Sequence, residues 1–292
     1  MLADAIARSV RLDEPPGVVC AGRTDAGVHA WGQTAHVDLP AGYEGDLARA
    51  LNRQTAPDLV VRDAAPAPDG FDARRSALWR HYRYLVLDAP VPDPLLARVS
   101  WHVSAPLDLR AMAASTDPLL GEHDFRALCR RPPGTSPGDA IVRRVTAAGW
   151  RRVDAEGLGG PPSSDLLRFD IVATSFCHQM VRSVVALLVD AGRGRANAAT
   201  VKALLESASR AGAPEPAPPH GLCLVGVGYE VHQGDGAHEP GEPHEADGPD
   251  EPHEADEPHK ADGPDEPHEA DGPHRADEVH AGGGLPGTTP SR

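Results

Sequence analysis

The sequence predicts an α+β protein, on three observations. Arg80 to Leu87, RHYRYLVL, alternates sides as a half-buried strand does: Tyr82, Tyr84 and Val86 face one way, His81, Arg83, Leu85 and Leu87 the other. Gln179 to Ala191 sets Met180, Val181, Val184, Val185, Leu187 and Leu188 on one apolar helical face. Strands and helices are mixed along the chain, with few short hairpin signals.

The elements follow in order. Leu2 to Val10 reads as a helix, Val18 to Ala21 as a short buried strand and Ala35 to Leu39 as another. Gly45 to Gln54 suits a helix, Leu59 to Asp63 a strand and Leu107 to Ser115 a helix. Val142 to Val153 and Leu166 to Thr174 read as long strands around a loop rich in Gly and Pro. Gly192 suits the C-terminal cap of the apolar helix. Asn197 suits the N-cap of a helix ending near Ser209, and Leu222 to Val231 is a last strand.

The charge is unevenly spread. Of the formal −15 over 292 residues, residues 233–292 carry 17 acids against 3 bases, a net of −14. The body has 26 acids and 25 bases, 24 of them Arg. Arg presents a planar fork suited to phosphate and carboxylate, so the body neither requires nor forbids an RNA partner. Asp247–Asp256, DGPDEPHEAD, recurs letter for letter at Asp262–Asp271. With alanine as its only regular apolar residue, this repeat cannot stack as a solenoid, and 233–292 reads as a disordered spacer. Its seven histidines raise metal binding as the alternative. Cys20, Cys129, Cys177 and Cys223 form no C-x-x-C pair, and reduced thiols are the simplest expectation. No signal peptide or membrane-length apolar run is visible, which points to a cytoplasmic protein.

Three stretches could carry chemistry. In CAGRTDAGVHAWGQ, Cys20 to Gln33, Asp25 follows an apolar strand among small residues. It suits a turn, with Gly27 taking positive φ. It also suits an accessible carboxylate nucleophile, kept ionised if Arg23 meets it. FDARRSALWRHYRYLVL, Phe71 to Leu87, crowds arginines near two tyrosines. That pattern fits phosphate holding and base stacking, or equally an edge strand with core tyrosines. SFCHQMVRSVVALLVDAGRG, Ser175 to Gly194, sets Arg182 three residues from Gln179 and four from His178. The Arg could point into a cleft or lie on the surface of an amphipathic helix. His178 and Gln179 could also be cap residues, and no ligand spacing supports zinc.

Taken together, GRTDAGVHAWGQ, FDARRSALWRHYRYLV, FCHQMVRSVV and GLCLVGVGY resemble the tRNA pseudouridine synthase A family in order and approximate spacing. LNRQTAPDLVV and GEHDFRAL are weaker echoes, and the resemblance spans residues 2–231. It implies a pseudouridine synthase fold: two α/β subdomains around a mixed, largely antiparallel central sheet, with the active-site cleft between them. Residues 1–72 would form the first subdomain, 73–232 the second and 233–292 the tail. It further implies that Asp25 is the catalytic aspartate, that Arg23 helps displace the target base, that Tyr82 contacts the target nucleotide and that Arg182 pairs with Asp25. The implied reaction is uridine to pseudouridine in the anticodon stem-loop of tRNA, with no cofactor and no metal, by a homodimer with RNA lying across both subunits.

The chain departs from the family pattern in three places. It starts inside the first helix, without the preceding strand and the Tyr-Asp-Gly-type and Gly-Trp-Gln-type segments. Loss of that strand would leave neighbouring backbone groups unpaired; the expectation is either a misplaced start or a damaged copy with weak folding and activity. Ser183 stands where Asn is usual, and the acidic tail is extra. The alternative reading is a tRNA-binding protein without turnover; a third is a metal-binding adaptor built on the tail.

Overall fold

The computed structural model describes residues 1–40, 45–131, 134, 136, 138–154, 166–207 and 209–230. The tail expected at 233–292 lies outside the described residues, as does most of the expected Gly- and Pro-rich loop. The elements run α1 (Leu2–Val10), β1 (Val18–Cys20), β2 (His29–Ala30), β3 (Ala35–Val37), α2 (Leu47–Thr55), β4 (Trp79–Asp88), β5 (Trp101–Val103) and α3 (Leu109–Ala114). After these come β6 (Gly121–Asp124), β7 (Val142–Val153), β8 (Leu166–Ala173), α4 (Met180–Gly192), α5 (Ala198–Ser207) and β9 (Leu222–Gly228).

The large sheet has the order β2-β9-β4-β8-β7-β6. β4 is its axis. β8 lies antiparallel along Arg80 to Leu87, and β9 lies antiparallel along Trp79 to Tyr84. β5 joins β4 in parallel at Val86 to Asp88, beyond the reach of β9. β2 adds in parallel to β9, so the sheet is mixed but largely antiparallel.

The alternation read from RHYRYLVL sets the two faces of this sheet. Tyr82, Tyr84 and Val86 of β4, with Leu167, Phe169 and Ile171 of β8, enter the main core. Against them pack Met180, Val184, Val185 and Leu188 of α4, Met112 of α3, and Val201, Leu204 and Leu205 of α5. Burial of the larger of these side chains stabilises by about 1.5–3 kcal/mol each. Asp108 and Asn197 cap α3 and α5 by accepting from backbone N–H groups of Arg110, Ala111 and Thr200. A smaller cluster joins α1 and α2 through Ala5, Ile6 and Leu51, with Val18 and Val37 of the two-stranded β1–β3 sheet beside it.

Three expectations change. Leu59 to Asp63 is no strand, because the side-chain amide of Asn52 takes a strand's place: Val61 N donates to its Oδ1 at 2.6 Å, and its Nδ2 donates to Val61 O at 2.8 Å. β1 is only half-buried, with Val19 37% exposed, since its sheet has two strands. Gly192 ends α4 as a packing glycine rather than as a cap, because a Cβ there would lie 2.8 Å from Met112 Sδ. Cys129 and Cys177 come together, with Cα atoms 5.9 Å apart. The turn after Leu128 and the one before α4 converge there, and 48 residues of separation left no local signal.

The face of the sheet away from the main core is apolar at one end, where Leu85 and Leu87 cluster with Leu96 and Leu166, and polar around Asp170. Asp170 accepts from Arg168 Nη2 at 3.0 Å and from Arg83 Nε at 3.2 Å, and His81 Nε2 lies 2.8 Å from it. Burial pushes its pKa up, but the hydrogen bonds from His81 and Arg168 and the charges of Arg168 and Arg83 hold it well below the usual carboxylate range. A depressed folded pKa gives stability that is present above the unfolded value, near 3.8, and is lost as pH falls below it. Asp170→Asn should therefore cost about 2 kcal/mol at neutral pH, read by urea denaturation. The gap between the two proteins should close as pH drops below the ordinary carboxylate range.

Candidate active site

Asp25 sits on the segment that leaves β1 and returns through β2 to the edge of the large sheet. Several bonds close this segment on itself. Ala21 N donates to Thr34 O at 2.8 Å, Gln33 Nε2 donates to Gly22 O at 2.7 Å, and Gly22 N donates to Gln33 Oε1 at 3.3 Å. The Gln33 amide thus pairs with the Gly22 peptide as a neighbouring strand would. At the tip, Val28 N donates to Asp25 O at 3.1 Å, and Gly27 has φ +83, the geometry of a type II turn. On the return, Trp31 N and Gly32 N both donate to Leu224 O of β9. A Cβ on Gly32 would lie 2.3 Å from Val225 O, so only glycine lets the backbone come this close.

Arg80 of β4 fastens the start of this segment to the sheet. Buried, it donates to four backbone oxygens: Ala21 (3.2 Å), Arg74 (2.5 Å), Ala77 (3.0 Å) and Thr174 (2.8 Å). Burial lowers its pKa, yet a guanidinium stays charged at neutral pH.

Two side chains before and within the first turn of α4 reach Asp25 from the opposite side. Arg182 Nη1 donates to Asp25 Oδ2 at 2.7 Å. Arg182 is itself fixed twice to Ala217: its Nε donates to Ala217 O at 2.7 Å, and Ala217 N donates to Arg182 O at 3.0 Å. Its side chain is only 13% exposed. His178 Nε2 lies 3.0 Å from the other carboxylate oxygen, Oδ1, with its side chain 43% exposed. Sequence reasoning put Arg182 against Asp25 only through the family resemblance, and left His178 as a cap residue. The four-residue spacing on one face was the available signal. The geometry comes instead from Gln179, which precedes the helix in the left-handed region, φ 65.

Tyr82 lies beneath. It is buried, 8% exposed, and meets Phe176 edge to face at 5.0 Å. Its hydroxyl would lie 3.4 Å from a Cβ on Gly22. Burial pushes its pKa up to about 12, eased by Arg80 and reinforced by Asp25, so the phenol keeps its proton at neutral pH. Arg23, also expected at the site, does not pair with Asp25. It stands exposed on the same segment, with no hydrogen bond or ion pair among the described residues. A groove of about 690 Å³ lies elsewhere, along α2, lined by Arg49, Arg53 and Arg62. It shares no residue with the Asp25 cluster, where an arginine donates to one carboxylate oxygen and an imidazole nitrogen lies 3.0 Å from the other. Among the described residues no group of three or more His, Cys, Asp or Glu could hold a metal, and no helix is long and apolar enough to cross a membrane.

The arrangement offers a carboxylate held by one arginine beside an imidazole, near a protonated phenol. It suits nucleophilic or proton-transfer chemistry on a flat ligand. A family model described as tRNA pseudouridine synthase matches residues 116–230. A tRNA pseudouridine synthase A of Leifsonia xyli subsp. xyli is 40% identical over 251 residues, covering 79% of this chain and 82% of the relative. One of Streptomyces griseus subsp. griseus is 39% identical over 234 residues, covering 78% of each chain. One of Frankia casuarinae is 42% identical over 232 residues, covering 77% of this chain and 78% of the relative.

The Arg80 anchor makes a direct prediction. Arg80→Lys keeps the charge but cannot reach four carbonyl oxygens at once, and should cost about 2 kcal/mol of unfolding stability. Urea denaturation measures this, and an unchanged midpoint would mean the anchor carries nothing.

Proposed function

Since the chain belongs to the tRNA pseudouridine synthase A family, isomerases that act on tRNA, we propose that Asp25 is its nucleophile, with Arg182, Tyr82 and Arg23 serving the target uridine. The single observation that carries this is the grip on Asp25. A carboxylate from one end of the chain is held at 2.7 Å by an arginine 157 residues away, itself locked to the backbone of Ala217.

The chemistry asks for little else. The glycosidic bond between N1 of uracil and C1′ of ribose breaks, and the uracil turns. C5 then bonds to C1′, the C5 proton leaves, and the freed N1 takes up a proton. Substrate and product are isomers, so the atoms balance without a redox partner or an energy source. A carboxylate assists by attacking the sugar or the base, or by taking the proton. The target must also leave its stack, which costs a few kcal/mol. Arg23, exposed and unpaired among the described residues, is free to fill the vacated space. Tyr82, buried and protonated, serves as the floor on which the uracil rests.

We place the substrate site in the anticodon stem-loop and the enzyme in the cytoplasm as a homodimer, following the resemblance of the motifs. The small α1–α2 cluster with the β1–β3 sheet supports reading 1–72 as a first subdomain, and the large sheet supports 73–232 as the second.

The test is Asp25→Asn with an anticodon stem-loop tRNA tritiated at C5 of uridine, where each turnover releases tritium. The wild type should release it. Asp25→Asn should lose at least about a thousandfold in rate while still retaining tRNA on a filter. Tritium release by Asp25→Asn near the wild-type rate would remove Asp25 from the chemistry. Binding without release by the wild type would favour the non-catalytic reading.

A further inference from the structure

The two oxygens of Asp25 are held differently. Oδ2 is held by Arg182, which is nearly buried and fixed to Ala217 from both its side chain and its backbone. Oδ1 faces His178, a more exposed side chain with no other hydrogen bond or ion pair among the described residues. Although its side chain is free of other partners, the backbone beneath His178 is fixed. His178 O accepts from Arg130 N at 2.9 Å, and the preceding Cys177 is buried beside Cys129. The next residue, Gln179, holds φ 65, a left-handed conformation that few non-glycine residues adopt. That turn delivers His178 and Arg182 to the same carboxylate, although only Arg182 lies within the helix.

We propose that His178 is a positioning residue for Asp25: its imidazole nitrogen, 3.0 Å from Oδ1, limits rotation of the carboxylate while Arg182 holds Oδ2, so that Oδ1 stays aimed at the incoming nucleoside. This rests on Asp25 being the nucleophile. Among the described residues, Asp25 is the ion-pair contact of the imidazole.

The experiment measures kcat and KM for tRNA at neutral pH, with thermal melting alongside, for the wild type, His178→Ala and His178→Gln. His178→Ala should lose about tenfold in kcat, with KM changed less than about twofold. His178→Gln keeps a polar side chain of similar reach beside Oδ1 and should recover most of kcat. A wild-type kcat in His178→Ala, a loss confined to KM, or no recovery in His178→Gln would each overturn the proposal. These results would leave Asp25 as nucleophile untouched. A wild type that turns over no tRNA would overturn the functional reading, and this proposal with it.

Discussion

The Arg182–Asp25 ion pair is the contact on which the site depends. It spans 157 residues and joins two structures that nothing else in the local sequence would bring together: a turn leaving a two-stranded sheet, and the first turns of the most apolar helix. An aspartate on a loop tip would ordinarily sample many orientations, and fixing a side chain costs conformational entropy. Here both partners are prepared in advance. Arg182 is locked to Ala217, and the Asp25 segment is closed by Gln33 and pinned to the sheet by Arg80. The ion pair therefore forms between ordered groups, in a partly buried place where attraction is less screened than at the surface.

Much of the frame was legible in the sequence. Period-two alternation in RHYRYLVL gives the faces of β4, and the apolar stripe of MVRSVVALLV gives α4 with its buried side. Asp108 and Asn197 sit as caps where capping chemistry places them. The misses share one cause: contacts that local periodicity does not encode. Leu59 to Asp63 has the composition of a strand, yet its backbone is satisfied by the Asn52 amide. β2, β5 and β6 are two to four residues long, too short for periodicity to appear, and exist because β9, β4 and β7 offer them edges.

At the site the balance is similar. Asp25 alone reads as a turn residue, and its turn is real, with Gly27 at positive φ. Its chemical reading needed Arg182 and Tyr82 from distant motifs. His178 escaped because its contact with Asp25 depends on a left-handed Gln179, which no composition signals. Arg80 escaped because a cluster of arginines looks like a phosphate site. This one instead turns inward to four carbonyl oxygens, and Arg23 of the neighbouring motif turns outward.

The central claim is that Arg182 and Asp25 are energetically coupled in the folded protein. A double-mutant cycle of Asp25→Asn, Arg182→Gln and the double variant, read as unfolding free energies in urea, measures this directly. The account predicts a coupling of about 1–3 kcal/mol that weakens only modestly in high salt. Additive effects, with a coupling near zero, would contradict it.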